Sequence, residues 1–478
     1  MSTALSNPRI SGNSRTWPAF LLLCGGRFMV MLDLMIVVLA LPAVQSSFGV
    51  TASTTQWALS IYALSFGGFL LLGGKAGDLF GRRRILVIGF ATFSVASLLG
   101  GLAPTIQWFI AARALQGLGA ALVSPTAFAT VTTLFHDARQ GNRMIAIWSA
   151  LSGIAFPVGA LLGGLLVAGP GWRWIMFVNV PLGLACGALA PTLIAEGRVT
   201  VEHRKLDVLG SATATIGLVA LVWVLSEGNT LRWLSPVVVL PAFLAMMLLG
   251  AFVMIEKRSK EPVLRLAIFR DPSLVGANLV MLFGNAGLVS SLFSLSFFLQ
   301  RSLSLSPEAS GLAFIPTSLV FIVATNLSSR LESKLPARFL VVAGSIAMAA
   351  GFILYSHMGK GAAFLATFVS GSFFVGLFGV ALPVLLKVGV AGVPPEHRGA
   401  ASGLLSTTQQ IGGAMGLAIM TMVENATKIP AAGTTGSRIA FSLVGAHHSF
   451  IACAIFLVVG AAAAMSLIKA RSAPASCP

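Results

Sequence analysis

The sequence predicts an all-α integral membrane protein built as two six-helix bundles with a helix pair inserted between them, fourteen spans in all. Three observations predict it. Of the 478 residues, 56% are apolar and only 9% are charged, against roughly 25% charged in an ordinary soluble protein. The apolar residues fall into long runs matching the roughly 20 residues that one crossing needs, so fourteen crossings would use about 280 residues and leave short loops. The basic residues are distributed to one side. With the N-terminus placed in the cytoplasm, about 23 of the 31 Lys and Arg lie in cytoplasmic loops and tails, about 6 on the opposite side, and Arg27 and Arg113 within spans. That bias is the positive-inside pattern, and it places both termini in the cytoplasm. It also accounts for the net charge of +17 by orientation and by contact with anionic lipid heads, so no nucleic-acid partner is expected.

In chain order the spans are expected near 18–43, 55–73, 85–103, 107–134, 144–168 and 172–195, then 208–226 and 234–254, then 273–299, 308–328, 339–357, 362–386, 400–423 and 447–468. The first run is too long for a signal peptide and carries Arg27 and Asp33, so it is read as a retained span. The corresponding organisation is a cytoplasmic segment 1–17, a first bundle 18–195, an inserted pair with its linkers 196–272, a second bundle 273–468 and a cytoplasmic tail 469–478.

A weak internal repeat supports the two bundles. The loop from Gly74 to Arg84 has a worn echo from Arg330 to Arg338, with Glu332 lying 254 residues after Asp78, and the Asn142-Arg143 entry to one span is matched by His397-Arg398, 255 residues later. Two landmarks sharing one offset imply halves related by an axis along the membrane normal, with the substrate handled between them near the midplane.

Three ionisable residues fall at hydrocarbon depth: Arg27, Asp33 and Arg113. Each costs about 2.5–3.5 kcal/mol or more unless paired or wetted, so together they mark an internal cavity. Burial disfavours an ionised carboxyl and a nearby guanidinium favours it, the opposition that a proton switch uses. Asp33 therefore reads either as a titrating or substrate-sensing group or as a static partner of Arg113 or Arg27. On the fourth span Arg113, Gln116, Gly117 and Ala120 share one helical face; the polar pair can face the cavity while the small residues admit a neighbouring helix.

On the fifth span Pro157, Gly159, Gly163 and Gly164 suit a hinge or close helix contact. The second half offers the neutral residues Asn278, Asn285, Asn326, Gln409 and Gln410, able to bond a ligand or to join helices. In the basic loop Gly74, Asp78, Gly81, Arg82 and Arg83 suit a conformational latch, in which the carboxylate accepts from a helix N-terminus or from an arginine across the bundle interface. One buried acid against two arginines leaves the cavity poorly suited to doubly charged cations, and neutral, anionic or singly charged aromatic compounds are expected instead.

Other chemistries lack their residues. The loop has no phosphate-loop spacing, the four cysteines show no disulfide or metal pattern, and the six histidines lie in loops or at span ends without a nucleophile or paired carboxylates beside them. An enzyme is not expected.

These segments resemble the major facilitator superfamily over nearly the whole chain. Leu32 to Pro42 is similar to the first-span signature of its fourteen-span drug:proton antiporter branch, Gly74 to Arg84 to the superfamily's loop signature, Arg113 to Gly119 to its fourth-span signature, and Trp172 to Gly183 to the branch's sixth-span entry. The chain departs from the pattern at Met35 and Val38, where the branch usually has Thr and Asn, at Leu79, where a basic residue is usual, and at Gly159-Ala160, where Gly-Pro is usual and proline instead stands at Pro157. The resemblance implies proton-coupled efflux of amphipathic small molecules, drugs or antibiotics, from the cell membrane, with Asp33 and Arg113 in proton coupling and Asp78 as a gate latch. It implies no cofactor beyond the proton gradient, and as partners the substrate, protons and membrane lipids, with the protein acting as a monomer. An uncoupled facilitator or importer shares the same fold, and a polytopic membrane enzyme is the remote alternative.

Overall fold

Hydrophobic runs of this length satisfy their backbone in lipid only as helices, and the computed structural model describes residues 16–135, 138–196, 207–259, 266–358, 363–394, 398–426 and 443–468, among which helices joined by turns are found and no strand. The first half contains α1 (Thr16–Phe48), α2 (Ala52–Phe80), α3 (Arg82–Gly101), α4 (Ile106–Leu134), α5 (Ala138–Ala168), the short α6 (Trp174–Phe177) and α7 (Asn179–Leu193). A pair follows, α8 (Val208–Leu231) and α9 (Pro236–Arg258). The second half contains α10 (Pro272–Phe297), α11 (Pro307–Ala313), α12 (Ile315–Glu332), α13 (Ala337–Ser356), α14 (Ala363–Gly376), α15 (Ala381–Ala391), α16 (Arg398–Ala426) and α17 (Leu443–Leu467). A π-helical turn, Phe298–Ser302, extends α10, and a 3-10 turn joins α14 to α15.

Helix starts follow from the sequence. Thr51, Thr105, Asp207, Asp271 and Ser306 each accept a backbone N–H of the first turn of α2, α4, α8, α10 and α11, as short polar side chains do at N-caps. Between α2 and α3 the chain turns on Gly81 at φ +99°, with Glu196 filling the place of a Cβ. Only glycine adopts that backbone without strain.

Every expected span coincides with one helix or with a broken helix, as where α6 and α7 divide the sixth and α11 and α12 the tenth. Among the described residues, twelve helical stretches are long and apolar enough to cross a membrane. α5 and α16 fall outside that set. α5 is uncharged over the 25 residues from Met144 to Ala168, of which Ile154–Ala168 is the continuous apolar stretch among the described residues. α16 carries Ser406, Thr407, Thr408, Gln409 and Gln410 in its first half, and a helix packed between others needs fewer apolar side chains than one facing lipid.

Within the first half α4 packs on α2 and α3, and α1 on α5, α7 and α4; within the second α10 packs on α16 and α17, and α13 on α17 and α14. The halves meet through α2 with α16, α5 with α11 and α12, and α1 with α10. α8 lies along both α2 and α16, so the pair bounded by α8 and α9 sits over this seam. The outward face of α9 is apolar, with Leu240, Phe243 and Met246 all exposed, as expected for a lipid-facing helix.

Glycine sets how closely α16 approaches α10: a Cβ on Gly416 would stand 2.5 Å from the backbone of Ala286, while one on Gly250 of α9 would meet nothing within 4 Å. Gly416→Leu is therefore expected to destabilise the detergent-solubilised protein by about 1–3 kcal/mol, the usual cost of overpacking. Gly250→Leu should leave the thermal midpoint in place. Equal midpoints for the two variants would contradict this packing.

Candidate proton and substrate site

Five helices of the first half converge on one carboxylate. Asp33 lies at the middle of α1 with no exposed surface. Arg113 and Gln116, one turn apart on α4, are likewise fully buried. Arg113 Nη1 donates to Asp33 Oδ2 and to Gln116 Oε1, both at 2.5 Å. Gln116 Nε2 donates to Asp33 Oδ1 at 2.8 Å and to Ser97 Oγ of α3 at 2.9 Å. Asn179 Nδ2, at the start of α7, donates to the same Asp33 Oδ1 at 2.8 Å. From α2, Ala58 O accepts Arg113 Nε at 3.0 Å and the Tyr62 ring lies 4.3 Å from the guanidinium carbon.

This arrangement gives a buried anion a counter-charge and two neutral donors, which is what keeps an ionised carboxyl tolerable away from water. Through it Arg113 and Gln116 of α4 are tied to Asp33 of α1.

The sequence placed Asp33 opposite either Arg113 or Arg27, and the partner is Arg113. Arg27 instead donates from Nη1 to Ser124 Oγ at 3.1 Å and lies 6.0 Å from the Trp148 ring centroid. Gln116, expected beside a cavity, is locked into the Asp33 node. In the second half Asn278 accepts from Thr408 Oγ1 at 2.8 Å and donates to Leu274 O, and Asn285 Nδ2 donates to Gln409 O at 2.6 Å. Those asparagines join α10 to α16. Gln409 and Gln410 are half-buried on α16, Gln410 lying beside Gly67 of α2, and Asn326 bonds its own helix at Ile322 O.

The basic loop folds differently from the expected latch across the interface. Asp78 pairs at 3.2 Å with Arg82, because the bend at Gly81 keeps residues four apart adjacent. Arg82 continues to Ala129 O and Thr133 Oγ1 of α4, and Arg83 Nε donates to Glu196 at 2.8 Å. All of these contacts stay within the first half. Gly74 faces Pro125, and Gly77 faces Thr126, which brings α2 close to α4.

The glycines of α5 serve two contacts. Gly159 and Gly163 lie against Met35 and Ile36 of α1, while Gly164 lies against Pro307 and Glu308 of α11, with Ala160 against Gly311. Pro157 is half-buried two residues before Gly159, inside the helix. Gly153, Asn142 and Arg398 have side-chain surroundings outside the described residues, as do His136, His203 and His397.

Four groups of functional contacts went unread in the sequence. Asn179 stood within the Trp172 to Gly183 signature, and a lone amide at the head of an apolar span was its signal. Tyr62 and Ser97 carried none. Gln56 of α2 donates to Ser226 of α8 at 2.9 Å and accepts from Thr421 of α16. Ser296, Gln300 and Arg301 donate to the backbone carbonyls of Val38, Leu39 and Pro42 on α1.

Known proteins agree with this architecture. The family profile described as Major Facilitator Superfamily matches residues 23–417. The chain belongs to the Major Facilitator Superfamily. It is therefore a multi-pass membrane transporter rather than an enzyme. It is 33% identical over 466 residues to the puromycin resistance protein pur8 of Streptomyces alboniger, covering 96% of this chain and 92% of that one. It is 34% identical over 457 residues to the cephamycin export protein CmcT of Amycolatopsis lactamdurans, covering 94% and 92%. Among solved structures, a bacterial homolog of the human lysosomal transporter Spinster, inward-facing and unoccupied, superposes with TM-score 0.66 at 18% identity over 97% of this chain and 100% of that one. The nucleoside transporter NupG gives 0.67 at 11% identity, over 95% and 100%. At those identities the structures support the fold alone.

Removing one member of a buried ion pair strands the other. Arg113→Gln is expected to cost about 3–5 kcal/mol of stability, whereas Asp33→Asn combined with Arg113→Gln should recover most of that loss. Thermal unfolding of the single and double variants measures it, and a double variant as unstable as Arg113→Gln alone would show that the charges are not coupled.

Proposed function

We propose that the protein is a proton-coupled exporter of amphipathic small molecules, drugs or antibiotics, working by alternating access between its two halves. The observation that carries this reading is the fully buried Asp33–Arg113 pair with Gln116 and Asn179 closing around it, a titratable switch at the centre of a membrane transporter whose relatives include named resistance and export proteins. In this scheme the bundles are 18–195 and 273–468, α8 and α9 complete fourteen spans, and both ends of the chain are cytoplasmic, a placement that the excess of Lys and Arg on one side supports. The proton gradient is the energy source, no cofactor takes part, and the monomer is the working unit.

The seam supports a direction for the first step. At the ends remote from the basic loops, Ser296, Gln300 and Arg301 grip the end of α1, and Gly164 of α5 lies on α11. These contacts support a form closed on the outer side, in which substrate would enter from the cytoplasm. Substrate then enters from within, the halves rock, and a proton arriving from outside reaches Asp33 as substrate leaves. Protonated Asp33 releases Arg113, and return to the inward form delivers the proton to the cytoplasm. Asp78 and Arg82 act as the inner gate, changing partners when the cytoplasmic ends approach.

In proteoliposomes with an imposed pH gradient, Asp33→Asn is expected to abolish gradient-driven efflux while the variant stays folded. Normal pumping by the variant, or wild-type transport indifferent to collapse of the gradient, would favour an uncoupled facilitator. Asp78→Asn should slow turnover and shift labelling of cavity cysteines toward the cytoplasmic side, and unchanged labelling from both sides would remove it from the gate.

A further inference from the structure

Pro42 stands inside α1, near its end at Phe48. Proline has no N–H to give, so the bond that residue 42 would make to the carbonyl four residues earlier, Val38 O, is missing from the helix. A buried carbonyl left in that way costs free energy unless another donor reaches it. Here the donor is Ser296 of α10, whose Oγ donates to Val38 O at 3.0 Å. Val38 and Ser296 are both buried, and they belong to different halves. The gap that Pro42 opens in one half is filled by a side chain of the other. By contrast Ala121 O, freed in the same way by Pro125 of α4, faces Gly73 of α2 inside the first half.

The bonds beside this one run along the same turn of α1. Gln300 Nε2, four residues after Ser296, donates to Leu39 O at 3.0 Å and to Ser296 Oγ at 3.2 Å. Arg301 Nη2 donates to Pro42 O at 3.1 Å and to Ser46 Oγ. A carbonyl has two lone pairs, and the residues four ahead of Leu39 and Pro42 are Ala43 and Ser46, which have amides of their own. In this row Val38 O is the acceptor whose helical donor the sequence has removed.

We propose that Pro42 is a positioning residue for the outer closure: by withholding an N–H it reserves Val38 O for Ser296, and this proline-dependent bond helps hold the outer ends of the two halves together. Parting the halves there breaks the bond and leaves Val38 O without that donor, a cost that an uninterrupted helix would not impose. The inference deepens the alternating-access reading and rests on it for what the closure does in transport, while the dependence of the bond on the proline can be tested apart from transport.

The experiment places spin labels at Gln107→Cys and His357→Cys, exposed positions at the ends of α4 and α13 remote from the basic loops. The full-length protein, its four native cysteines replaced by alanine, is held in nanodiscs at one neutral pH, and pulsed electron resonance gives the population with the labels far apart. Ser296→Ala is expected to raise that population about threefold or more, as the loss of one hydrogen bond allows. Pro42→Ala should raise it too, because the new amide takes Val38 O back into the helix. Adding Ser296→Ala to Pro42→Ala should then change little, since the carbonyl that the serine served is already taken. Ser291→Ala removes a buried hydroxyl bonded within α10 at Leu288 O and should leave the distances as they are. Wild-type distances in Ser296→Ala or in Pro42→Ala would overturn the proposal, as would an equal response to Ser291→Ala. So would effects that multiply in the double variant, which would show the proline acting apart from the serine. Gradient-driven efflux by the unlabelled proteins is followed in parallel. Its absence in wild type with the distance responses intact would sink the exporter reading and leave the proline-dependent contact standing.

Discussion

The ion pair between Asp33 and Arg113 is the constraint to which the first half is built. Two charges at the centre of an apolar bundle are tolerable only if they meet each other and neighbouring donors and acceptors. That requirement pulls α1, α2, α3, α4 and α7 to one point, since Asp33, Ala58, Ser97, Arg113 and Asn179 come from those five helices. Small residues make the approach possible. A Cβ on Gly117 would stand 2.5 Å from Tyr62 O, and one on Gly119 would stand 2.7 Å from Phe93 N. The glycines beside Arg113 are thus part of the same design as the charge, because α4 could not seat its arginine between α2 and α3 if either carried a side chain.

The second half solves a different problem with neutral groups. Asn278 with Thr408, and Asn285 with Gln409, bind α10 to α16 through uncharged hydrogen bonds, which neither demand a counter-ion nor respond to a proton. At these positions the two halves differ: the first is tied through a buried ion pair and the second through neutral amides and a hydroxyl. If the protein is proton-coupled as proposed, one responsive half would suffice, because α1 and α5 touch α10, α11 and α12 across the seam.

How much of this was legible follows from the kind of signal each feature leaves. Apolar runs of a fixed length and the sidedness of Lys and Arg are dictated by the bilayer, so the helices and their order could be read from the sequence. Ionisable residues in spans are rare because they are costly, so Asp33 and Arg113 stood out. Neutral partners pay no such cost and left little trace: Ser97 and Tyr62 resemble ordinary span residues, and Asn179 was hidden within a longer signature. The pairing of Asp78 with Arg82 was missed for another reason. An acid in a basic loop has several arginines in reach, and the bend at Gly81 chooses among them. Arg301, just beyond the span expected near 273–299, turns back to Pro42 O and Ser46 of α1 from the π-turn that ends α10.

The inserted pair bears on how the halves can move. Gln56 of α2 bonds both Ser226 of α8 and Thr421 of α16, and all three residues are buried. Farther along α2, Gly68 admits the Thr215 side chain of α8 at contact distance, and Gly67 receives Thr407 Oγ1 of α16 at 3.0 Å. α8 is thus fastened to the line where α2 and α16 run together rather than to either half alone. In the alternating-access scheme proposed above, rocking about that line would change the spacing of α1 from α10 and of α5 from α11 while α2, α8 and α16 turned against one another with little separation. The third helix would thicken such a pivot, and its hydrogen bond to Gln56 would oppose a motion that pulled the halves apart.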